Sequence, residues 1–442
     1  MAIATWLLPA GEFDRKYNEE AGKDLVVAGT YHKVDKNPQG IIAVFGSFSK
    51  GIVDAAEVIS YVLIVGGAYG VILKTGAMDA GLKRVIQQFQ GKSSLLIVIV
   101  MLLFSVGGTT TGMWEETLPF YLILIPLMIR SGYDPIVGVA IAIVGAGTGV
   151  MASIVNPFAT GIASGIAEIS IKEGSHLRIA FWFISVFISI FYVLFYANKV
   201  KKNPEKSIMH KQREQYLASF ANINNNQEDV YFTFRRKLIV IAFLSMIVFM
   251  MYSILQLGWW IPEMTFLFLA VALFSAFVSK ISESKFWEYF IEGSKDLLGA
   301  ALIIGIARGI LIVAKDGVIL DTILFYCANA MASVPSYGFL IINEIIQIMI
   351  AMFVPSSSAH AALTIPIMAP LADLMNVPRS AIVSSYQFAS GLANLITPTA
   401  GVLIAALSMG KVAWGQWVKF IFPLLVIHFV VSIVIVILHL YL

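Results

Sequence analysis

The sequence predicts an all-α polytopic membrane protein made of two related halves, each carrying interrupted hydrophobic segments. Three observations carry this reading. Hydrophobic residues make up 58% of the 442-residue chain and charged residues only 13%, with a mean hydropathy of +0.83. A soluble globule carries nearly twice that charge, so the exterior must face something apolar. The long charge-free runs also hold clusters of Gly, Ser, Thr, Asn and Pro, and these clusters recur in the same order along both halves. The composition excludes a soluble enzyme, a disordered scaffold and a nucleic-acid binder. The net charge of +3 says little about partners, and the single cysteine, Cys327, excludes an internal disulfide and a Cys-rich metal site. Its apolar neighbourhood reads as that of a buried structural thiol.

Residues 1–50 form a polar entry segment. They open Met1-Ala-Ile-Ala-Thr-Trp-Leu-Leu-Pro9 without a basic signal region. Six acids balance six bases over 11–50, which places the segment outside the cytoplasm. The first membrane repeat is expected over 51–198, with apolar runs at 58–73, 93–114, 117–129, 135–167 and 179–198. A linker at 199–237 follows, with nine Lys/Arg against four acids. The positive-inside rule makes it cytoplasmic. The second half, 238–442, carries its repeat over 295–415. A crossing needs about 20 apolar residues, and several runs are too long for one crossing and contain breakers. About ten to twelve apolar elements result, some of them incomplete crossings. The bulky runs Ile179–Asn198 and Phe420–Leu442 suit lipid contact.

Four runs look different: FSVGGTTTG at 104–112, GAGTGVMASIVNPFATG at 145–161, VPSSSAH at 354–360 and SGLANLITPTAG at 390–401. Backbone opened at membrane depth must line protein or a wet cavity, because unpaired amides are costly in lipid. Small residues also serve plain helix packing, but that reading weakens for the set. The runs belong to a repeat. Glu57, Gly66 and Gly70 stand 239 positions before Asp296, Gly305 and Gly309. Thr109-Thr110-Thr111 then parallels Ser356-Ser357-Ser358, Pro119, Pro126 and Pro135 parallel Pro366, Pro370 and Pro378, and Asn156-Pro157 parallels Thr397-Pro398. Paired interrupted segments in two halves point to a secondary transporter with its site at the repeat interface. Sequence alone leaves open whether the repeats are inverted.

The candidate ligand-binding residues are Thr109, Thr110, Thr111, Glu115, Glu116, Asn156, Ser356, Ser357, Ser358, Asn394 and Thr397. Glu115 and Glu116 precede an apolar helix, so capping is one reading. Acids inside a hydrophobic hairpin are functional by default, and these could hold a substrate ammonium or guanidinium, or carry a proton. Arg308 could pair with Asp296, Glu344 or a substrate carboxylate, or snorkel. Glu344 could relay a proton or pair internally. Asn156, Asn394 and Thr397 could bind ligand, bind Na⁺ or satisfy opened backbone. His360 permits a pH response, or is a hydrogen-bonded core residue. No cofactor and no transition-metal site is expected. Coupling to Na⁺ or H⁺ would run through Glu115, Asn156, Glu344 or Thr397. With no GxxxxGK[ST] sequence the chain is no self-contained ATP-driven pump, and no catalytic group stands out, so an enzyme is not expected.

The stretches TWLLPAGEFDR at 5–15, GMWEE at 112–116, VNPFATGIASG at 155–165 and NLITPTAGVL at 394–403 together resemble the YfcC family. That family stands with the anaerobic C4-dicarboxylate carriers and arginine/ornithine antiporters of the ion transporter superfamily. The resemblance covers essentially the whole chain. It implies two inverted repeats with re-entrant hairpins, including 104–118 and 350–365, and helices interrupted at Asn156-Pro157 and Thr397-Pro398. It further implies an elevator-type secondary transporter, a homodimer in the cell inner membrane. The substrate it implies is a small amino acid, a basic one such as arginine or ornithine; a C4-dicarboxylate is the alternative, and a channel or non-transporting scaffold is the rival class. Relatives in that family carry a full hydrophobic helix before the PAGEF stretch, whereas only eight residues precede Pro9 here, so the first transmembrane helix is expected to be absent or truncated.

Overall fold

The computed structural model describes residues 1–18, 23–27, 29–78, 80–81, 92–221, 233–257, 259, 261–331 and 334–442. The side chains of Thr111, Pro157, Asp296 and Cys327, and residues 222–232 of the basic linker, lie outside the described residues.

A short helix α1 (Ala2–Leu7) leads into the one departure, among the described residues, from an all-α chain. Strand β1 (Gly11–Glu12) pairs antiparallel with β4 (His32–Lys33), and β2 (Arg15–Asn18) with β3 (Lys23–Val26). This polar stretch has no apolar face long enough for a helix, so it folds as two small sheets. Helices α2 (Ile41–Asp54) and α3 (Ala56–Lys74) then form one rod with a single bend at Ala55, and the rod runs through residue 50 without a break. Next come α4 (Ser93–Thr111), a turn, α5 (Leu118–Arg130) and α6 (Pro135–Met151). After a break, a π-helical turn (Pro157–Gly161) leads into the short α7 (Ile162–Ile166), and α8 (Ser175–Lys202) closes the half.

The linker carries α9 (Arg213–Ala221), followed by α10 (Phe234–Leu257) and α11 (Ile261–Ser279). The second half then runs through helices in a similar order. Helix α12 (Glu283–Asp316), 34 residues long, corresponds to the α2–α3 rod. After α13 (Leu320–Met331), α14 (Ser336–Phe353) and α15 (Ser357–Leu374) form a second hairpin, and α16 (Arg379–Asn394) is again followed by a break. Helices α17 (Gly401–Met409) and α18 (Trp414–Leu438) complete the chain. Among the described residues, seven helices are long and apolar enough to cross a membrane. The hairpin arm α5 and the stumps α7 and α17 are too short.

Equivalent elements run antiparallel where they meet. Met151 of α6 packs on Gly391 of α16, and Gly147 faces Leu395. Ser189 of α8 bonds His428 of α18 at 2.9 Å, Tyr192 donates to the Phe420 carbonyl, and Gly174 ahead of α8 abuts His439 beyond α18. The hairpins swap partners across the halves: α5 packs on α17, and α15 packs on α7. The lipid-facing stripe on α8 shows why this helix is bulky: Phe183, Phe187, Phe191 and Phe195 are all about two-thirds exposed, while Ser185 and Ser189 on the opposite face are buried.

The two rods touch through glycine. Gly66 and Gly70 of α3 meet Gly293 of α12, and Gly51 of α2 meets Gly305 and Gly309. A Cβ at Gly293 would stand 2.3 Å from the Gly66 carbonyl oxygen. Small residues let membrane helices approach this closely. Gly293→Val is therefore expected to force the rods apart and lower the melting temperature of the detergent-solubilised protein. Gly299→Val on the same helix, where a Cβ meets nothing within 4 Å, is expected to leave it unchanged.

Candidate functional site

Both hairpin tips end on a break in the α6 or α16 helix of their own half. In the first half the last turn of the α4 arm holds Thr109, whose hydroxyl donates to the Ala152 carbonyl at 2.8 Å. Its own carbonyl accepts from the Ile154 and Val155 amides at 3.3 and 3.5 Å. Gly112 turns the chain at φ +74°, with the Asn156 side chain packed so close that a Cβ would come within 2.4 Å of it. Only glycine fits a left-handed residue under a side chain. The break is held from the other half too: Gln387 of α16 donates to the Val150 carbonyl at 2.6 Å and accepts from the Thr160 hydroxyl at 3.3 Å. Ser153 also accepts from Thr160, at 2.8 Å.

The second half repeats the clasp with different atoms. The Met352 carbonyl at the end of α14 accepts from Thr397 at 3.1 Å and from Thr399 at 2.7 Å. Two indoles cap the break: Trp417 donates to the Leu395 carbonyl and Trp414 to the Ile396 carbonyl, each at 2.8 Å. Threonine hydroxyls here do the work of the backbone amides that engage Thr109. Opened backbone at membrane depth is thus satisfied internally, as lipid requires.

The acidic pair sits at the first tip. Glu116 is buried and accepts from the Trp114 amide at 2.8 Å, while Glu115 is partly exposed. Trp114 packs beside Gly147 at the crossing with Leu395, so the first tip reaches the second break. Tyr61 of the α3 rod is buried within electrostatic reach of both carboxylates, and its hydroxyl has no partner among the described residues.

The structure thus gathers Thr109, Glu115, Glu116 and Asn156 around one tip and Ser356, Ser358 and Thr397 around the other. Asn394, ending α16, is buried, and its side-chain oxygen has no partner among the described residues. Ser357 contributes its carbonyl, which accepts from the Tyr386 hydroxyl at 2.6 Å. Thr110 is exposed and bonds back to the Val106 carbonyl of its own helix, away from the tip. The threonine and serine clusters are not equivalent positions as the sequence parallel suggests: Thr109–Thr111 end the arm before the first turn, whereas Ser357 and Ser358 begin the arm after the second. Among the described residues Arg308 pairs with Asp54 of α2 and not with Glu344, while the side chain of Asp296 lies outside them. His360 is buried against the Tyr386 ring, with neither ring nitrogen hydrogen-bonded among the described residues. Sequence reasoning passed over Tyr61, Gln387, Thr160 and Thr399. A lone glutamine inside the run SSYQFASG was the available signal for Gln387.

A cavity of about 570 Å³ reaches the second tip. It lies between the N-terminal sheets, the end of α12 and the start of α15, and Arg15, Asp24, Arg308, Lys315, Asp321 and Ser356 line it. Asp321 closes one wall by accepting from Arg15 at 2.9 Å and from the Phe13 amide at 3.0 Å. A smaller cavity of about 240 Å³ stands at the counterpart place, between α3, α5 and α17.

Broken helices clasped by hairpin tips, set against a glycine-packed rod pair in an apolar chain, define a polytopic membrane protein with a polar centre shut off from lipid. Residues 1–441 match the family described as DcuC, C4-dicarboxylate anaerobic carrier, and the chain belongs to this family of membrane transporters. It is 31% identical over 478 residues to the Escherichia coli (strain K12) protein named "Putative basic amino acid antiporter YfcC", covering 99% of this chain and 93% of that one. An uncharacterized protein of Haemophilus influenzae (strain ATCC 51907 / DSM 11121 / KW20 / Rd) is 35% identical over 403 residues, 91% of this chain and 79% of its own. Among solved structures, Neisseria gonorrhoeae MtrF, described as illuminating a class of antimetabolite efflux pumps, aligns with a TM-score of 0.42 at 16% identity, covering 99% of this chain and 92% of its own. The Alcanivorax borkumensis YdaH transporter aligns with 0.42 at 13%, covering 99% and 94%.

Proposed function

We propose that the protein is a secondary transporter of small amino acids, basic ones such as arginine or ornithine, working by exchange or ion coupling in the cell inner membrane. One observation carries the reading: a buried carboxylate, Glu116, with Glu115 beside it, stands at one hairpin tip, and Trp114 of that tip reaches Leu395 at the break beside the other. A basic amino acid carries a distal cation for the first and an α-carboxylate for the second. The name of the E. coli relative agrees with it. The antiparallel meeting of α6 with α16 and of α8 with α18 supports inverted repeats. The glycine-packed rods then serve as a fixed frame for an elevator motion of the hairpins and broken helices, in a homodimer. The basic groups clustered at Lys199, Lys201 and Lys202 support a cytoplasmic linker face. Substrate would contact Thr109, Glu115, Glu116, Asn156, the Ser356–Ser358 cluster, Asn394 and Thr397.

C4-dicarboxylate transport is the second reading, favoured by the family's description and by Arg15, Arg308 and Lys315 around the larger cavity. Ligand-induced stabilisation separates the two, since a ligand that binds only the folded protein raises its melting temperature by mass action. Arginine or ornithine is expected to raise it and succinate or fumarate to leave it unchanged. The reverse pattern would transfer the assignment to dicarboxylates.

A further inference from the structure

A cluster of polar side chains lies away from both tips, between the hairpin arm α14 and helices α16 and α18. Asn343, Glu344 and Gln347 of α14 are each 0% exposed, as are Ser385 of α16 and Ser432 of α18. The Ser432 hydroxyl donates to Glu344 Oε1 at 2.5 Å, Asn343 Nδ2 donates to the Ser385 hydroxyl at 2.9 Å, and Ser385 also reaches Glu344. Three side-chain oxygens have no partner among the described residues: Glu344 Oε2, Asn343 Oδ1 and Gln347 Oε1. Among the described residues Glu344 forms no ion pair either. The nearby titratable groups are His428 one turn before Ser432 on α18, and Tyr386 and His360 on α16 and α15.

We propose that Asn343, Glu344, Gln347, Ser385 and Ser432 form a binding site for one sodium ion, separate from the hairpin tips. A buried carboxylate without a counter-charge is unfavourable. A proton on Glu344 would neutralise it but leave the amide oxygens of Asn343 and Gln347 orphaned. A hard cation that takes oxygen ligands satisfies all of them together. One carboxylate among neutral oxygens matches one positive charge, hence a monovalent ion. The other half shows that the fold does not require these residues. Shifted by the separation that relates Thr109 to Met352, the counterparts of Asn343, Glu344, Gln347 and Ser385 are Val100, Met101, Phe104 and Ala142, all apolar. By that shift Ser432 alone has a polar counterpart, Ser189, so the packing there is made without a carboxylate or an amide. Gln347 lies between one and two turns before Met352, the carbonyl on which Thr397 and Thr399 close. An ion that pins α14 to α16 and α18 would order the second tip, so ion and substrate would favour each other. This inference does not rest on the choice between amino acid and dicarboxylate.

The test uses the full chain in lipid nanodiscs with no organic substrate, reading ²²Na⁺ binding and the melting temperature in NaCl against choline chloride at equal ionic strength. Sodium is expected to stabilise the wild type. Changes around a metal site already cost about 10–100-fold in affinity, so Glu344→Gln, which removes the only charged ligand, is expected to weaken ²²Na⁺ binding at least about tenfold. That variant should melt in choline at or above the wild-type temperature, showing that it folds, and Gln347→Leu should lose part of the sodium response. Sodium stabilising no more than choline would overturn the proposal, as would Glu344→Gln keeping the full response. So would stabilisation by acid instead of sodium, lost in Glu344→Gln, since the cluster would then hold a proton. A sodium shift alongside silence toward arginine and succinate would uphold the ion site and sink only the substrate reading.

Discussion

Glu116→Gln is expected to reduce arginine or ornithine exchange at least about a hundredfold while the protein stays folded. The argument rests on burial. A guanidinium or ammonium brought to the first tip leaves water and needs a counter-charge there. Removing one partner of a buried pair costs about 3–5 kcal/mol, and every 1.4 kcal/mol is about tenfold in affinity. Glutamine keeps the shape of Glu116 and an acceptor for the Trp114 amide, so the turn between α4 and α5 survives. The melting temperature without ligand should therefore stay level or rise, because a buried charge is gone. Glu115→Gln should lose less, since Glu115 is partly exposed and Glu116 is not. Counterflow in liposomes reads the transport loss. Wild-type exchange by Glu116→Gln would remove the carboxylate from the site, and improved succinate uptake in that variant would favour the dicarboxylate reading.

The location of that carboxylate was legible in the chain because polar residues at membrane depth are rare and expensive, so GMWEE, VNPFATG and NLITPTAG stand out against their runs. The hairpin turns at Gly112–Thr117 and Val354–Ser356 fall inside the stretches 104–118 and 350–365 for the same reason. The partners of those residues were not legible. Arg308 finds Asp54 on a helix far away in sequence, through a rod contact that depends on glycines meeting at one register. Nothing local marks that register. The mismatch between Thr109–Thr111 and Ser356–Ser358 has a similar cause: both clusters are small and polar and both lie by a turn, but only coordinates tell which side of the turn each occupies. Glu344 was visible as a charge in an apolar run, while its partners Ser385 and Ser432 are single serines on two other helices and look like ordinary packing residues. The N-terminal sheets were hidden by the composition itself, since a helical average over the chain swamps four short strands.

The double variant Thr397→Val, Thr399→Val is expected to impair transport far more than the product of its two single variants. Both hydroxyls donate to one acceptor, the Met352 carbonyl at the end of α14. Either one alone keeps that carbonyl paired, so each single change should cost little, within about threefold in uptake, in line with the weak net worth of one replaceable hydrogen bond. With both gone, a carbonyl at membrane depth has no donor left. An orphaned buried acceptor costs about 1–3 kcal/mol, and the hairpin would relieve it by parting from the break or admitting water. Uptake should then fall about tenfold or more, and the interaction energy in a double-mutant cycle should be large, as expected for residues sharing a partner. Valine matches threonine in shape, so packing is not the variable. The first half offers the control. Its clasp uses the Ile154 and Val155 amides on the Thr109 carbonyl, which no side-chain change removes. Thr109→Val there should cost only the bond to Ala152 and the one from the Ile154 amide. Purely additive effects at Thr397 and Thr399 would show that the tip and the break are not held together through Met352.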